Sequence, residues 1–344
     1  MVKLKDFNPS RLKNARMYRA KTLDILATQT KINKKDILAF EEGKYLPTLE
    51  NSLKLAKALD FPQEYFYKKD NVKVILENTH VAVPGRVPRV EEVACREQLL
   101  MTHKIVTLIE DYIDIPKLNL PTKLGKNINE EQLAQITREH FNLNNEAILN
   151  VADVMEENGI IVSDINNNKK GSVALTQKQS VDKNVRYVVC LGNDEKALAK
   201  RNYEMAYELG YIVSNNLNIP TKRFSKDDFA GAFLLPADEF KKDLTKVDDL
   251  ELYVTLKEKW NVPIVIMLYR AHQLGLLNYK KYNYLMQEIN KKGWLSKEPL
   301  DDKIKANAPK MLKNIAKNTN KLVEVLLEAN IDMYSKDIEV LLGL

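Results

Sequence analysis

Two stretches of this sequence hold side chains whose types and spacing could do chemistry. Between residues 22 and 44, Ala27 is a small residue of the kind that lets two helices cross, and Ile37 follows ten positions later to pack against it. Ile32 and Phe40 complete an inward face, the side chain of Asn33 can cap the second helix, and Gly43 can end it. A helix held in that way turns its other face outward, where side chains can reach the base edges of DNA. The second stretch is Tyr203, Tyr207 and Tyr211, one turn apart on one helix face with Glu208 beside them. A stripe at this spacing either packs against the sheet as core or lines a cleft for a peptide or small ligand. No such case exists for a metal or another cofactor. His80, His103, His140 and His272 are far apart with no ligand spacing, and Cys95 and Cys190 are isolated thiols.

The elements that must position these residues follow from periodicity. Residues 9–67 read as short helices, and Pro84, Gly85 and Pro88 mark a looser stretch before a helical run over 90–111, which puts a boundary near residue 70. Helical patterns cover 129–141 and 145–158, the second closed by Gly159 in the left-handed capping position. Residues 160–165, 171–176 and 185–191 are short and rich in β-branched side chains, so they predict a small sheet. Helices return over 196–215, 226–235, 248–260, 262–274 and 279–291. A helical tail begins near Ala306, with Leu322, Val325, Leu326 and Ala329 at helical spacing as a dimer or partner surface, or as packing on its own domain.

At 344 residues and 44% apolar content the chain can fill two or three compact domains. Its longest apolar run, 262–269 with Pro263 inside, is far short of the roughly 20 residues needed to span a bilayer, and the N-terminus has no secretory signature. The expectation is a cytoplasmic protein with no membrane segment. Charge is unevenly placed. Residues 1–70 hold 15 Lys/Arg against 9 Asp/Glu, while the remaining 38 of each sign cancel. A basic excess confined to one end points to a phosphate-facing surface there.

The first 57 residues or so of the helical segment resemble the XRE/Cro-type repressors. The resemblance is carried by R-L-K-x-A-R from Arg11, by Ile32 through Ile37, by E-x-G-K from Glu41, and by P-T-L-E-x-x-L-K-L-A-K-A-L ending at Leu59. It implies a recognition helix over 33–42 and DNA contacts from Asn33, Lys34, Lys35, Asp36, Leu38, Ala39 and Lys44. Lysine can bond guanine or phosphate, Asp36 can accept from cytosine, and Leu38 or Ala39 can touch a thymine methyl. The chain departs from that family at Leu23, where a phosphate-holding Gln is usual, and at Lys31, where Gly is usual in the turn.

Residues 128–300 resemble the ImmA/IrrE zinc metallopeptidases, through R-N-Y-E-M-A-Y-E-L-G-Y from Arg201, S-K-D-D-F-A-G-A-F-L-L-P from Ser225, and R-A-H-Q-L-G-L-L from Arg270. That family places H-E-x-x-H on a helix, two histidines for zinc and a glutamate that activates water. Here Tyr207 and Tyr211 stand at the histidine positions, Ser225 stands at the position matched to the third ligand, and Glu208 alone is retained. The resemblance therefore implies a vestigial site with no zinc and no catalysis. The fold expected is mainly α with a small β-sheet. It comprises a helix-turn-helix domain (1–70), a linker and connecting helix (71–127), an α+β zincin-like domain (128–300) and a C-terminal helical segment (301–344). The function expected is a sequence-specific transcriptional regulator, a repressor of phage or mobile-element type. It would bind a double-stranded operator as a homodimer, with the large domain sensing a protein inducer or a ligand, or dimerising. An antitoxin-like role, or an active metallopeptidase, is the alternative.

Overall fold

The computed structural model describes residues 7–69, 74–81, 88–123, 128–164, 174–191, 197–306, 309–318 and 331–343. The chain forms two compact units, one of Met1–Ile115, Ile160–Asn193 and Lys310–Leu344, the other of Pro116–Gly159 and Asp194–Pro309.

The first unit begins with α1 (Pro9–Tyr18), α2 (Leu23–Thr30), α3 (Lys34–Glu41) and α4 (Leu49–Leu59), followed by a 3₁₀ turn over Gln63–Tyr67. Local chemistry sets these boundaries. The side chains of Thr22, Asn33 and Thr48 accept from the amides of Ile25, Lys35 and Asn51, each satisfying one orphan donor at a helix start. Lys31 closes α2 in the left-handed region at φ 58°, a conformation that costs a non-glycine residue roughly 1–2 kcal/mol. β1 (Val74–Val81) and the long α5 (Arg89–Ile109) follow.

The unit then gathers pieces from further along the chain. Strands β2 (Ile161–Ser163), β3 (Ala174–Val181) and β4 (Asn184–Leu191) join β1 in one sheet of order β1-β3-β4-β2. The β3–β4 and β1–β3 pairs are antiparallel and β2–β4 is parallel. Helix α5 lies over this sheet, and fully buried His103 brings Nδ1 within 3.2 Å of Gln179 Oε1 on β3. Helices α14 (Met311–Asn318) and α15 (Ser335–Leu341) complete the unit.

One hydrophobic cluster joins Leu12, Ile37 and Leu59 of the first helices to Leu99 of α5, Val188 of β4 and Leu341 of α15. Polar clasps reinforce it. Asp337 accepts two hydrogen bonds from the Arg19 guanidinium at 2.6 and 2.7 Å, and Asp332 accepts from Arg11 at 3.1 Å and from Lys68.

The second unit holds α6 (Glu130–His140), α7 (Val151–Glu157), α8 (Leu198–Asn216), α9 (Lys226–Leu234), α10 (Ala237–Asp243), α11 (Leu250–Trp260), α12 (Ile264–Gln273) and α13 (Tyr279–Lys291). Helix α9 is central, packing against both α6 and α8. Gly210 makes the second contact feasible, because a Cβ there would fall 2.8 Å from the Phe229 ring. One buried ammonium is held by two carboxylates. Lys257 reaches Glu298 and Asp301 at 2.6 Å each, and Glu298 in turn accepts from the first amides of α12.

The structure differs from the sequence reading in several places. The two compact units group residues differently from the expected segments 1–70, 71–127, 128–300 and 301–344: β2–β4, from within 128–300, and α14 and α15, from 301–344, lie in the unit of the first helices. The reason is visible in the pairing, since β1 from the presumed linker hydrogen-bonds to β3. β1 itself was not expected, and the helix predicted over 145–158 begins only at Val151. Arg138 accounts for the second difference: it donates to the carbonyls of Asn144 and Glu146 and holds that segment out of the helix. Helix α10 was also unforeseen. Leu322, Val325, Leu326 and Ala329 lie outside the described residues. Among the described residues, no helix is long and apolar enough to cross a membrane.

Candidate nucleic-acid interface and the helix of Glu208

The four N-terminal helices are braced around α3. Glu41, on its last turn, accepts from Arg16 Nε at 2.6 Å and Nη2 at 2.8 Å, a two-point bond that fixes α3 against α1. Ile37 and Phe40 are buried, with Ala27 packed against the same cluster. The outward side is short. Asn33 is exposed, and its side chain is occupied as the cap, accepting from the Lys35 amide at 2.9 Å. Lys34 reaches back to Asp24 on α2 at 2.8 Å. Lys35 is exposed, and its ammonium makes no hydrogen bond or ion pair among the described residues. Asp36 accepts from the Tyr45 hydroxyl at 2.5 Å, which holds the phenol protonated to a higher pH than usual. Leu38 is 40% exposed, and Lys44 pairs with Glu42 at 2.6 Å.

Ala39 is the exception, because it is buried. The Lys44 amide donates to the Ala39 carbonyl at 2.9 Å, which with Gly43 at φ +68° closes the C-terminus of α3. The face that can meet a base edge is thus Lys35, Asp36 and Leu38, with Lys34 and Lys44 each already carrying a carboxylate partner. Asp24 and Tyr45 were not foreseen as parts of this surface. Much of the local basic excess also turns inward. Arg11, Arg16 and Arg19 hold carboxylates, and Lys21 donates to the Ala58 carbonyl, its burial and the nearby Arg19 charge lowering its pKa.

In the second unit, α8 carries Tyr203, Tyr207, Glu208 and Tyr211. Two of the three tyrosines turn to the first turn of α9: Tyr203 donates to Asp227, and the Lys226 ammonium sits 4.6 Å from the centre of the Tyr207 ring. The Tyr203 hydroxyl is held protonated far above its usual range, first by burial and then by Asp227. Tyr211 is buried, its pKa raised by burial and by Glu208, which is itself 2% exposed. Ser225 is the N-cap of α9: its Oγ accepts from the Asp228 amide at 3.2 Å, and its own amide donates to Glu130 at 2.9 Å.

These residues do not fit a zinc ion. A phenol under an ammonium, a buried phenol that resists ionisation and a serine engaged in capping are poor substitutes for imidazole and carboxylate ligands. Among the described residues no group of three or more His, Cys, Asp or Glu is arranged to hold a metal. Sequence reasoning missed the polar cluster beside them, where Asp228 accepts from Tyr269 at 3.1 Å and from Gln273. The signal was present in the two aspartates that follow Ser225, the composition of a capped helix start.

With this geometry in hand, two comparisons are informative. A family model described as a helix-turn-helix domain matches residues 10–72, spanning α1–α4 and the 3₁₀ turn. A second, described as an IrrE N-terminal-like domain, matches residues 156–272, from the last turn of α7 to α12. Both agree with the resemblances seen in the sequence. No curated protein and no solved structure matches the chain.

Proposed function

We propose, for a chain that joins a DNA-binding helix-turn-helix domain to an IrrE-like domain, that it is a sequence-specific transcriptional repressor whose IrrE-like part receives a protein signal and hydrolyses nothing. The observation that carries the regulator reading is α3. It is capped by Asn33, braced by Arg16 and Glu41, and it offers Lys35, Asp36 and Leu38 on its exposed side. A lysine and a carboxylate on one short helix face supply both a donor and an acceptor for major-groove edges. Phosphate anchoring falls to backbone amides at the start of α2, since Leu23 offers no side-chain donor there.

The absence of peptidase activity is supported by the donor set around Glu208. A general base needs a metal-bound water of lowered pKa to act on, and Tyr207, Tyr211 and Ser225 do not recruit the metal. The sensing role is supported by economy: roughly 60 to 70 residues suffice for operator binding, and the second unit adds a body built largely around α8 and α9 that this task does not use. The experiment is selection of double-stranded DNA from a random pool by the full chain. Enrichment of one inverted-repeat sequence is expected, and a pool that stays random after repeated rounds would overturn the regulator reading.

A further inference from the structure

In the second unit, aromatic rings gather at a surface where solvation alone gives no reason for them. Tyr279 of α13, 70% exposed, lies 6.3 Å from His272 of α12; His272 is stacked on Tyr282 at 5.0 Å, and Tyr282 lies 6.5 Å from Tyr269. All four keep part of their surface in solvent. This ladder of rings ends on carboxylates. The Tyr269 hydroxyl donates to Asp228 at 3.1 Å, and Tyr203 of α8 donates to the adjacent Asp227, which is exposed. The two acids are thus held from outside the helix they begin, whereas Ser225 Oγ takes the Asp228 amide. Burial and these carboxylates raise the pKa of both phenols, so the hydroxyls stay donors and add no charge of their own. A cation already rests on the neighbouring ring of α8, where the Lys226 ammonium sits 4.6 Å from the centre of Tyr207.

We infer that this surface binds an arginine side chain of a partner polypeptide, which specifies the protein signal of the proposed function and rests on that reading. A guanidinium is flat and weakly hydrated, so it stacks on a tyrosine ring while its fork bonds a carboxylate. Here rings and carboxylates adjoin, and each Asp is held by a phenol. A lysine ammonium, a compact point charge, cannot use the ring and the carboxylate as fully at once. Tyrosine and arginine are also among the residues that most often anchor protein interfaces. Nucleic-acid bases stack on tyrosine too, but Asp227 and Asp228 repel the phosphates that come with them. The lysines of α13 do not reverse this sign: Lys281 is held by Asp248, and Lys280, two residues before Tyr282, falls on the far side of the helix from it.

The test is binding of the full chain to fluorescein-labelled glycine-serine peptides that carry arginines, lysines or glutamates at the same positions. Fluorescence anisotropy near physiological salt gives the affinity, and circular dichroism confirms that each variant is folded. The arginine peptide should bind, the lysine peptide about fivefold or more weakly, and the glutamate peptide not at all. Asp227→Asn/Asp228→Asn, which keeps an acceptor for both phenols, should weaken the arginine peptide by about tenfold or more, and Tyr279→Ala by about three- to tenfold. No binding of the arginine peptide, equal binding of the arginine and lysine peptides, or unchanged affinity in either variant would overturn the inference. So would binding of a single-stranded oligonucleotide that is lost in Tyr279→Ala. Adding the arginine peptide to the chain on its selected duplex, with the lysine peptide as the control for direct contact with DNA, separates the two readings. Peptide binding that needs Asp227 and Asp228 but leaves the duplex bound supports the surface and refutes the signal reading, whereas no peptide binding refutes the surface and leaves the signal reading to another face.

Discussion

Replacing Asp337 by alanine removes a carboxylate that sits near the end of the chain yet clasps the first helix. The residue is 7% exposed and accepts two bonds, at 2.6 and 2.7 Å, from Arg19, whose side chain is 20% exposed. Breaking a buried pair by deleting one partner costs roughly 3–5 kcal/mol, because the other charge stays behind. Here the lower end applies. Arg19 keeps its bonds to the carbonyls of Leu59 at 2.9 Å and Asp60 at 2.7 Å, and its guanidinium still lies over Tyr18 and Phe61 at 5.1 and 5.0 Å. A loss of about 3 kcal/mol, at about 2–4 °C per kcal/mol for a body of this size, lowers the thermal midpoint by about 6–12 °C. Differential scanning calorimetry of the full chain measures it. Asp337→Asn, which keeps a hydrogen-bond acceptor without the charge, should fall between wild type and alanine. A shift of less than about 1 °C in Asp337→Ala would refute the argument that the tail and the helix-turn-helix segment share one cooperative core.

Three further outcomes follow. His103 is buried next to the Arg186 charge, and burial first, that charge second, depress its pKa from 6.5 to about 4 despite the bond to Gln179. The unfolded chain therefore takes up the proton first. The contribution of His103 to stability is flat above about pH 6.5 and falls by up to about 3 kcal/mol as the pH drops toward 4, a loss that urea melts at stepped pH should show reduced in His103→Gln. Gly210→Ala gains helix propensity of roughly 1 kcal/mol but drives a Cβ to 2.8 Å from Phe229. The net should be destabilising by about 1–2 kcal/mol in urea melts and recovered by adding Phe229→Leu; a stabilised single variant would show that α8 and α9 have room to separate. Elemental analysis should find well under one zinc per chain, and Glu208→Gln should leave any peptide-cleavage signal at background. Stoichiometric zinc, or a chelator-sensitive activity lost in that variant, would restore the peptidase reading.

What the sequence revealed depended on whether the deciding chemistry was local. Asn33 and Gly43 mark the ends of α3 through caps a few residues long, and the structure shows the Asn33 bond and Gly43 at φ +68° where they were expected. The left-handed Gly159 was legible for the same reason. β1 was hidden because its register shifts between Leu76 and Thr79, which breaks the two-residue alternation that identifies a strand, and because Ile75 and Leu76 stay exposed at the sheet edge. β3 was seen only in part, since Gln177 and Gln179 read as surface until the buried His103 is placed opposite. At the candidate interface the misses are of side-chain partnerships between neighbouring elements. Nothing in the order of residues says that Asp24 takes Lys34 or that Tyr45 takes Asp36. The tyrosine stripe of α8 is similar: its spacing was plain, but the stripe's contacts with Asp227 and Lys226 come from α9.

The central claim is that α3 reads DNA through its exposed side, and Lys34 and Lys35 provide a matched pair for testing it. They are adjacent and chemically identical, but only Lys34 is held by a carboxylate. Affinity for the selected operator and for a scrambled duplex is measured by fluorescence anisotropy at two salt concentrations, for wild type, Lys34→Ala and Lys35→Ala. Lys35→Ala should lose about 1–3 kcal/mol on the operator, about 5- to 150-fold, with little change on the scrambled duplex, while Lys34→Ala should stay within about threefold of wild type on both. Equal, small effects of the two substitutions on the operator, or a wild type that binds operator and scrambled duplex alike, would contradict the account.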